Sequence, residues 1–549
     1  MTNDISRRGL QLLLLAVVLI WFGNLEYRKL IRPDEGRYAE IPREMVVSGN
    51  WTTPRLNDLK YFEKPPLQYW ATAVAYEVFG EHQWTSRLWT ALTGFAGILL
   101  AWFAGTRLFG RETGIYAALL LGSGMLYTMM AHINTLDMGV TFFITLGIFS
   151  LLLAQNEESE AKRRNWMLLA WAGLALSVLS KGLMGVVLPG AALFLYSVFN
   201  RDITVWKRMH WISGLAVFLL IAAPWFVLVM RDNPEFFHFF FIHEHLERFT
   251  TKVHGRFQPW YYFVPILLLG MLPWTLLMFD ALLRSWRAGA QKLKEFSAAR
   301  FLLVWTVFIY VFFSVSDSKL PSYLLPMFPP LALLMGREIA NMKSRRLFWL
   351  TAPVLVIVAI LLGIIPFAAS RSADTPLQHE MYNAYSVWLL VAAATWLIGT
   401  VAALWSLRRD NKMAAVIVLA LSSLIASQLA TSGYNTIAPE RSSYILADAI
   451  KPLTKPDVPF YSVFCYEQTL PFYLKRTFTL VDFQDEMAFG IEREPHRWIP
   501  TTDQLAKRWS AQTEAYAIVP TPLLHILQEQ GMVMKEIYRD EQYVVVSKP

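Results

Sequence analysis

The densest run of reactive side chains is Arg32-Pro33-Asp34-Glu35-Gly36-Arg37-Tyr38-Ala39-Glu40-Ile41-Pro42-Arg43-Glu44. It continues through Gly49-Asn50-Trp51 to Tyr61-Phe62-Glu63-Lys64-Pro65-Pro66-Leu67. Carboxylates orient polar substrates or take protons, arginine offers phosphate a bidentate fork, and lysine offers a point charge. An Asp directly after Pro is a good helix N-cap, and such a cap at Asp34 would make Asp34 and Tyr38 i, i+4 neighbours. Capping and surface ion pairing explain any one of these residues. They do not explain so many charges of both signs in one loop, which is where function collects on a scaffold.

Three smaller clusters follow. His243-Glu244-His245-Leu246-Glu247-Arg248-Phe249 places His and Glu at spacings that fit one helical face, although the run matches no zinc motif. Ser316-Asp317-Ser318-Lys319-Leu320-Pro321-Ser322-Tyr323 puts a lysine and a tyrosine together, and interfacial anchoring by Tyr is its plain alternative. Asp137, at the end of His132-Ile133-Asn134-Thr135-Leu136-Asp137, is a lone carboxylate opening an apolar stretch, where N-capping is the competing explanation.

The chain has neither GxxxxGK[ST] nor GxGxxG, which disfavours nucleoside triphosphate and nicotinamide chemistry. Its single cysteine, Cys465, excludes an internal disulfide framework and any cysteine-based metal site. Carboxylates, arginines, lysines and tyrosines beside a bilayer suit a substrate activated elsewhere and delivered in the membrane. A lipid phosphate bearing a sugar fits that description.

The elements that must position these residues are membrane helices. Of 549 residues, 55% are hydrophobic and 17% charged, against about 25% charged in soluble domains. That excludes a cytosolic multidomain enzyme, a disordered chain and a nucleic-acid binder. Thirteen apolar stretches lie near 9–27, 84–104, 113–131, 138–154, 166–182, 183–199, 211–230, 260–283, 301–316, 321–336, 347–370, 385–406 and 413–431. A span needs roughly 20 apolar residues. The first stretch, after Arg7-Arg8, lacks a good cleavage site and reads as a retained anchor. With the N-terminus in the cytoplasm, that side holds 22 Lys and Arg, and the four short loops opposite hold three, Lys181, Lys319 and Arg371. The positive-inside rule then fixes the orientation. It places the C-terminus and the loops 28–83, 231–259 and 314–322 outside. The net charge of +8 reports that topology.

Residues 432–549 are polar and carry 12 basic and 15 acidic groups. Strand-like runs at Val458–Phe464, Thr477–Val481, Tyr516–Val519 and Tyr543–Val546 alternate with helical patterns at Thr502–Gln512 and Pro522–Gln530. The expected organisation is a membrane domain, 1–431, carrying the external catalytic loops, followed by a small soluble α/β domain, 432–549.

The strings RPDEGRYAE, YFEKPPLQYW and DSKLPSYLLPMFPPLALL, together with this topology, resemble the lipid A aminoarabinose transferases. These are polytopic α-helical membrane proteins of the GT-C type, lipid-linked glycosyltransferases with about 13 transmembrane helices and a C-terminal periplasmic α/β domain. The resemblance covers essentially the whole chain. It implies transfer of 4-amino-4-deoxy-L-arabinose from undecaprenyl phosphate to lipid A phosphates at the periplasmic face of the bacterial inner membrane. It also implies resistance to polymyxin and other cationic antimicrobial peptides. Asp34 would be the catalytic carboxylate and Asp137 the second acidic loop residue of the fold. Arg37, Lys64, Arg248 and Tyr323 would hold the donor phosphate, with Tyr38, Tyr61 and Lys319 as further substrate-binding residues. Glu63 and His243 match positions that hold a structural zinc in some members, and the chemistry itself would need no cofactor. The implied partners are the donor lipid, lipid A or its precursor and the bilayer, with no nucleic acid, and the chain would be a monomer. Two alternatives stay open, a protein O-mannosyltransferase and a transporter or flippase of polyprenyl-linked sugar. A transporter would show inverted repeats and midplane polar sites; the sequence shows no repeat.

Overall fold

A computed structural model describes residues 6–247, 258–289 and 295–549, with the backbone alone at 243–247 and 288–289. Contacts divide the chain into two units, Met1–Tyr27 with Arg87–Thr436, and Arg28–Ser86 with Ile437–Pro549. The loop after the first helix therefore groups with the C-terminal segment, whereas the expected boundary at 431 assigned it to the membrane domain.

In the first unit, all thirteen apolar stretches lie on helix. Among the described residues, seven helices are individually long and apolar enough to cross a membrane: Gln83–Phe109, Asp137–Asn156, Trp211–Asp232, Ala298–Val315, Ser344–Arg371, Pro376–Arg408 and Lys412–Arg441. Phe263–Gly270 and Thr275–Arg287 form an eighth if counted as one span bent by 105°. The remaining stretches are shorter or interrupted. Arg7–Phe22 has 16 residues, and the 113–131 stretch breaks at Gly124 between Arg111–Ser123 and Met125–Met130. The 321–336 stretch starts as a 3-10 turn, Pro321–Met327, before Phe328–Asn341.

The pair that matters most is Asp137–Asn156 and Glu160–Lys181, which fold back on each other. A Cβ on Gly173 would lie 2.8 Å from Gly147 N and 3.0 Å from Phe143 O. Two glycines at the crossing let the backbones approach as bulkier side chains could not. That approach carries the start of one helix to the end of the other, and the chain then turns at Gly182 into Met184–Asn200.

The second unit contains a helix, Asp34–Ser48, that is polar in sequence and buried from Glu35 to Met45. Its charges are paired internally. Arg28 forks onto Glu35 at 2.6 and 2.8 Å, and Arg43 onto Glu40 at 2.7 and 2.5 Å. Glu44 accepts the amides of Asn57 and Asp58 at 2.6 and 2.8 Å, fixing the hairpin of β1 (Arg55–Leu56) and β2 (Leu59–Lys60). At Gly36 a Cβ would sit 2.5 Å from Gln468 O, so this turn of helix must be bare to lie against the 468 backbone.

The rest of the unit is a six-stranded sheet of β3 (Phe460–Val463), β4 (Thr479–Val481), β5 (Trp498–Ile499), β6 (Tyr516–Pro520), β7 (Lys535–Arg539) and β8 (Tyr543–Ser547). The order is β5-β4-β3-β6-β8-β7, parallel from β5 to β6 and antiparallel at β8 and β7. Side chains alternate between two cores. Tyr461, Val463, Ala517, Val519, Val544 and Val546 fill one, and Phe460, Tyr516, Ile518 and Val545 the other. Burial on both faces explains why these strands read as continuous apolar runs. The four expected strands and both helices are present. β5 and β7 are additional, and β7 is a largely exposed edge strand with no apolar face to announce it.

Candidate active site

The second unit assembles one charged cluster. Asp34 is the first residue of its helix, Pro33 occupies the cap position and no side chain caps the helix end, so the N-cap reading of Asp34 is replaced. The Asp34 side chain is 43% exposed and lies 3.8 Å from Arg37.

Arg37, Tyr38 and Tyr61 face one another. The Arg37 guanidinium lies 5.8 Å from the Tyr38 ring and 6.0 Å from the Tyr61 ring. Tyr38 stacks on Tyr69 at 6.2 Å. Glu486 Oε2 is 2.6 Å from Arg37 Nη2, both side chains are about 9% exposed, and Gln468 donates to the other Glu486 oxygen at 3.1 Å. Burial works against the Arg37 charge, yet Tyr61 and Glu486 more than offset it and hold its pKa above the ordinary value. Burial pushes Glu486 up, and Arg37 opposes that rise. Burial also raises Tyr38 and Tyr61 well above the usual phenol value, so both hydroxyls stay neutral.

Three buried polar atoms here, Arg37 Nε, Tyr61 Oη and Tyr69 Oη, have no hydrogen-bond partner among the described residues. Buried donors are seldom left unused. One fixed cation with neutral hydroxyl donors around it is a cradle suited to a phosphate oxygen. Lys64 donates to the Glu63 carbonyl at 2.7 Å and stands 3.9 Å from the Glu63 carboxylate.

The first unit assembles another cluster. Asp137 opens its helix without capping it, which replaces the capping explanation. Its carboxylate instead pairs with Lys181, the last residue of Glu160–Lys181. Lys181 Nζ also lies 4.9 Å over the Tyr323 ring, and that ring packs on Phe313 at 5.1 Å. Tyr323 is thus packed between Lys181 and Phe313. Lys319 differs from expectation. It is 4% exposed, and its ammonium donates to Gln258 O at 2.8 Å and to Ser316 O. Those two bonds tie Lys319 to the backbone of its own unit.

Arg248 and the side chain of His243 lie outside the described residues. A structural zinc normally takes four donors. Among the described residues no group of three His, Cys, Asp or Glu is placed to hold a metal, and Glu63 already faces the Lys64 ammonium. Of the two residues that the resemblance assigns to zinc, only the Glu63 side chain is described. Cys465 is buried, its thiol pushed up to about 12, which makes it inert.

Two residues of these clusters carry no clear signal in the sequence. Glu486 is one of 15 acidic groups in the last segment, and no local pattern marks it. Lys181 was counted only as a loop charge. A lysine closing an apolar helix beside a lone aspartate opening another was the available signal.

A many-helix membrane chain presenting a buried arginine and neutral phenols beside an exposed carboxylate has the features of a glycosyltransferase that uses a lipid phosphate donor. Comparison with known proteins agrees. Residues 446–548 match the aminoarabinose transferase C-terminal domain, and residues 63–228 match the dolichyl-phosphate-mannose-protein mannosyltransferase domain. The undecaprenyl phosphate-alpha-4-amino-4-deoxy-L-arabinose arabinosyl transferase 2 of Pseudomonas fluorescens is 32% identical over 71% of this chain and 72% of its own length. The corresponding transferase of Erwinia tasmaniensis is 33% identical over 62% of this chain, and the match spans 63% of that protein. The crystal structure of ArnT from Cupriavidus metallidurans bound to undecaprenyl phosphate superposes with a TM-score of 0.93, at 36% identity, over 99% of both chains. The chain belongs to the undecaprenyl phosphate-alpha-4-amino-4-deoxy-L-arabinose arabinosyl transferase family, with its GT-C fold.

Proposed function

We propose that this chain is a multi-pass inner-membrane glycosyltransferase that moves 4-amino-4-deoxy-L-arabinose from undecaprenyl phosphate to a phosphate of lipid A. The active site and C-terminus would face the periplasm, as the distribution of Lys and Arg suggests. The reading rests chiefly on the whole-chain similarity to a relative solved with undecaprenyl phosphate bound. In the reaction the bond from sugar C1 to the donor phosphate oxygen breaks, a bond from C1 to a lipid A phosphate oxygen forms, and undecaprenyl phosphate leaves.

The leaving group is already a phosphate, so cations serve it better than a general acid. Arg37 is fixed by Glu486 and keeps an unused N–H, Lys64 adds a second charge, and the neutral hydroxyls of Tyr38 and Tyr61 can donate to phosphate oxygens. One contact at about 4 Å and effective dielectric about 20 is worth up to roughly 4 kcal/mol. The acceptor phosphate carries about −1.5 to −2 charges at neutral pH and scarcely needs a base. Asp34 then orients the sugar and stabilises oxocarbenium-like charge at C1. Asp137, fixed by Lys181 and Tyr323, is a second carboxylate for positioning substrate. Adding a cationic sugar lowers the negative charge of the outer surface and weakens its attraction for polymyxin.

Mass spectrometry of lipid A from cells expressing the chain, its Asp34→Asn variant or nothing tests the reading. A chain-dependent aminoarabinose increment that Asp34→Asn abolishes is expected; no increment under inducing conditions discards it. The role of Asp34 is checked by a pH–rate profile, because a general base is worth about 10²–10⁴-fold. A kcat ionisation that belongs to Asp34 and not to the acceptor phosphate would show that it takes a proton.

A further inference from the structure

We infer that the membrane unit carries a second phosphate-binding site, at the end of its helices opposite Asp137, and that this site takes the headgroup of an anionic membrane lipid. The position follows from one helix. Asp137 opens Asp137–Asn156 and Asn156 closes it; at 1.5 Å per residue the two ends lie about 28 Å apart, close to the thickness of a hydrocarbon core. Around Asn156 is a cavity of about 240 Å³, lined by Phe109, Asn156, Ser285, Ser297, Arg300 and Arg337. Its wall is mostly polar.

Its chemistry is that of an anion site. The Arg337 guanidinium lies 5.6 Å over the Phe109 ring and makes no ion pair among the described residues. The adjacent Glu338 interacts electrostatically with both Arg337 and Arg284, the latter 4.0 Å away. Arg300 is oriented by the neutral amide of Asn200, and Ser297 accepts the Arg300 backbone N–H at 3.4 Å. Ser285 is 5% exposed, and its hydroxyl has no hydrogen-bond partner among the described residues. A buried hydroxyl in that condition is costly unless something fills its hydrogen-bonding capacity.

The backbone fields also favour an anion. Ala298 begins the Ala298–Val315 helix, whose N-terminus contributes about +0.5 charge, whereas the Gln83–Phe109 and Asp137–Asn156 helices end here with about −0.5 each. Two full guanidinium charges outweigh that difference. The apolar side chains of Leu108 and Phe109 in its wall favour a phosphate attached to hydrocarbon over one free in solution. Basic pockets between membrane helices are suited to such headgroups.

The test is native mass spectrometry of the full chain in detergent, titrated with phosphatidylglycerol, phosphatidylcholine or inorganic phosphate. Wild type should retain phosphatidylglycerol adducts in preference to phosphatidylcholine, and inorganic phosphate should not displace them. Arg337→Gln should weaken phosphatidylglycerol retention about tenfold, the size of one charge-assisted contact. Arg337→Lys should fall between, and Ser285→Ala, which keeps the charge and should fold normally, should weaken retention by a smaller factor. Arg409→Gln, at a cation stacked on Trp405 and outside the cavity lining, should leave it unchanged. Retention unaltered in both Arg337→Gln and Ser285→Ala would overturn the proposal. So would equal loss in Arg409→Gln, which means general surface charge, or displacement by inorganic phosphate, which means a soluble anion.

Discussion

The two clusters hold their cations in opposite ways. In the second unit, Arg37 is buried and its carboxylate partner, Glu486, comes from a segment 449 residues further along the chain. In the first unit, Lys181 is 21% exposed and meets Asp137 through two helices that follow one another in sequence. A buried pair loses much when one partner is removed, because the survivor keeps its desolvation cost. A partly exposed pair recovers water instead. The buried Arg37–Glu486 pair thus gives a fixed guanidinium, and the Lys181–Asp137 pair an adjustable point charge.

Removing one partner separates the two clusters most. Arg37→Ala should abolish aminoarabinose transfer and destabilise the second unit by about 3–5 kcal/mol, read as an early transition in thermal unfolding. Lys181→Ala should reduce transfer and leave that transition in place. Equal unfolding in both would break the contrast. Conservative exchanges sharpen it. Arg37→Lys should lower kcat/KM about 100-fold because the planar fork is lost, whereas Lys181→Arg keeps activity within about fivefold. A tolerated Arg37→Lys would mean that charge alone suffices there.

A smaller effect concerns pH. The Glu486 pKa is raised by burial, so the stabilising contribution of that raised pKa is present at low pH and is lost as pH rises through the folded value. Glu486→Gln should therefore flatten the rise in melting temperature expected on acidification from neutrality toward pH 5. An unchanged profile would assign that rise to other groups. The smallest effect is expected at Lys319, whose bonds run to two carbonyls of its own unit. Lys319→Met should change donor KM less than twofold and cost stability in the range of about 1.5–3 kcal/mol for charged hydrogen bonds. A large KM change would return Lys319 to the substrate.

The helices were legible because a bilayer demands long apolar runs whatever surrounds them. The strands of the last segment were legible for a related reason, since both sheet faces are buried. Asp34, Arg37, Tyr38 and Tyr61 could be proposed from one dense loop. Glu486 could not, because a single carboxylate gains its meaning only from the buried arginine it faces. The grouping of 28–86 with the C-terminal segment was hidden in the same way. It depends on long-range matches such as Gly36 against Gln468 and Asn57 against Phe478, which leave no periodic trace. Lys319 shows the converse, a charged residue in a reactive-looking loop whose ammonium bonds to backbone carbonyls.

The solitary, inert Cys465 makes the chain nearly silent to thiol reagents. A single cysteine introduced elsewhere would therefore report alone, with no need to remove native thiols first. Placed in turn beside Asn156 and in the loop before Asp137, and challenged in whole cells with a maleimide that cannot cross the inner membrane, it would read directly which end of that helix faces the periplasm.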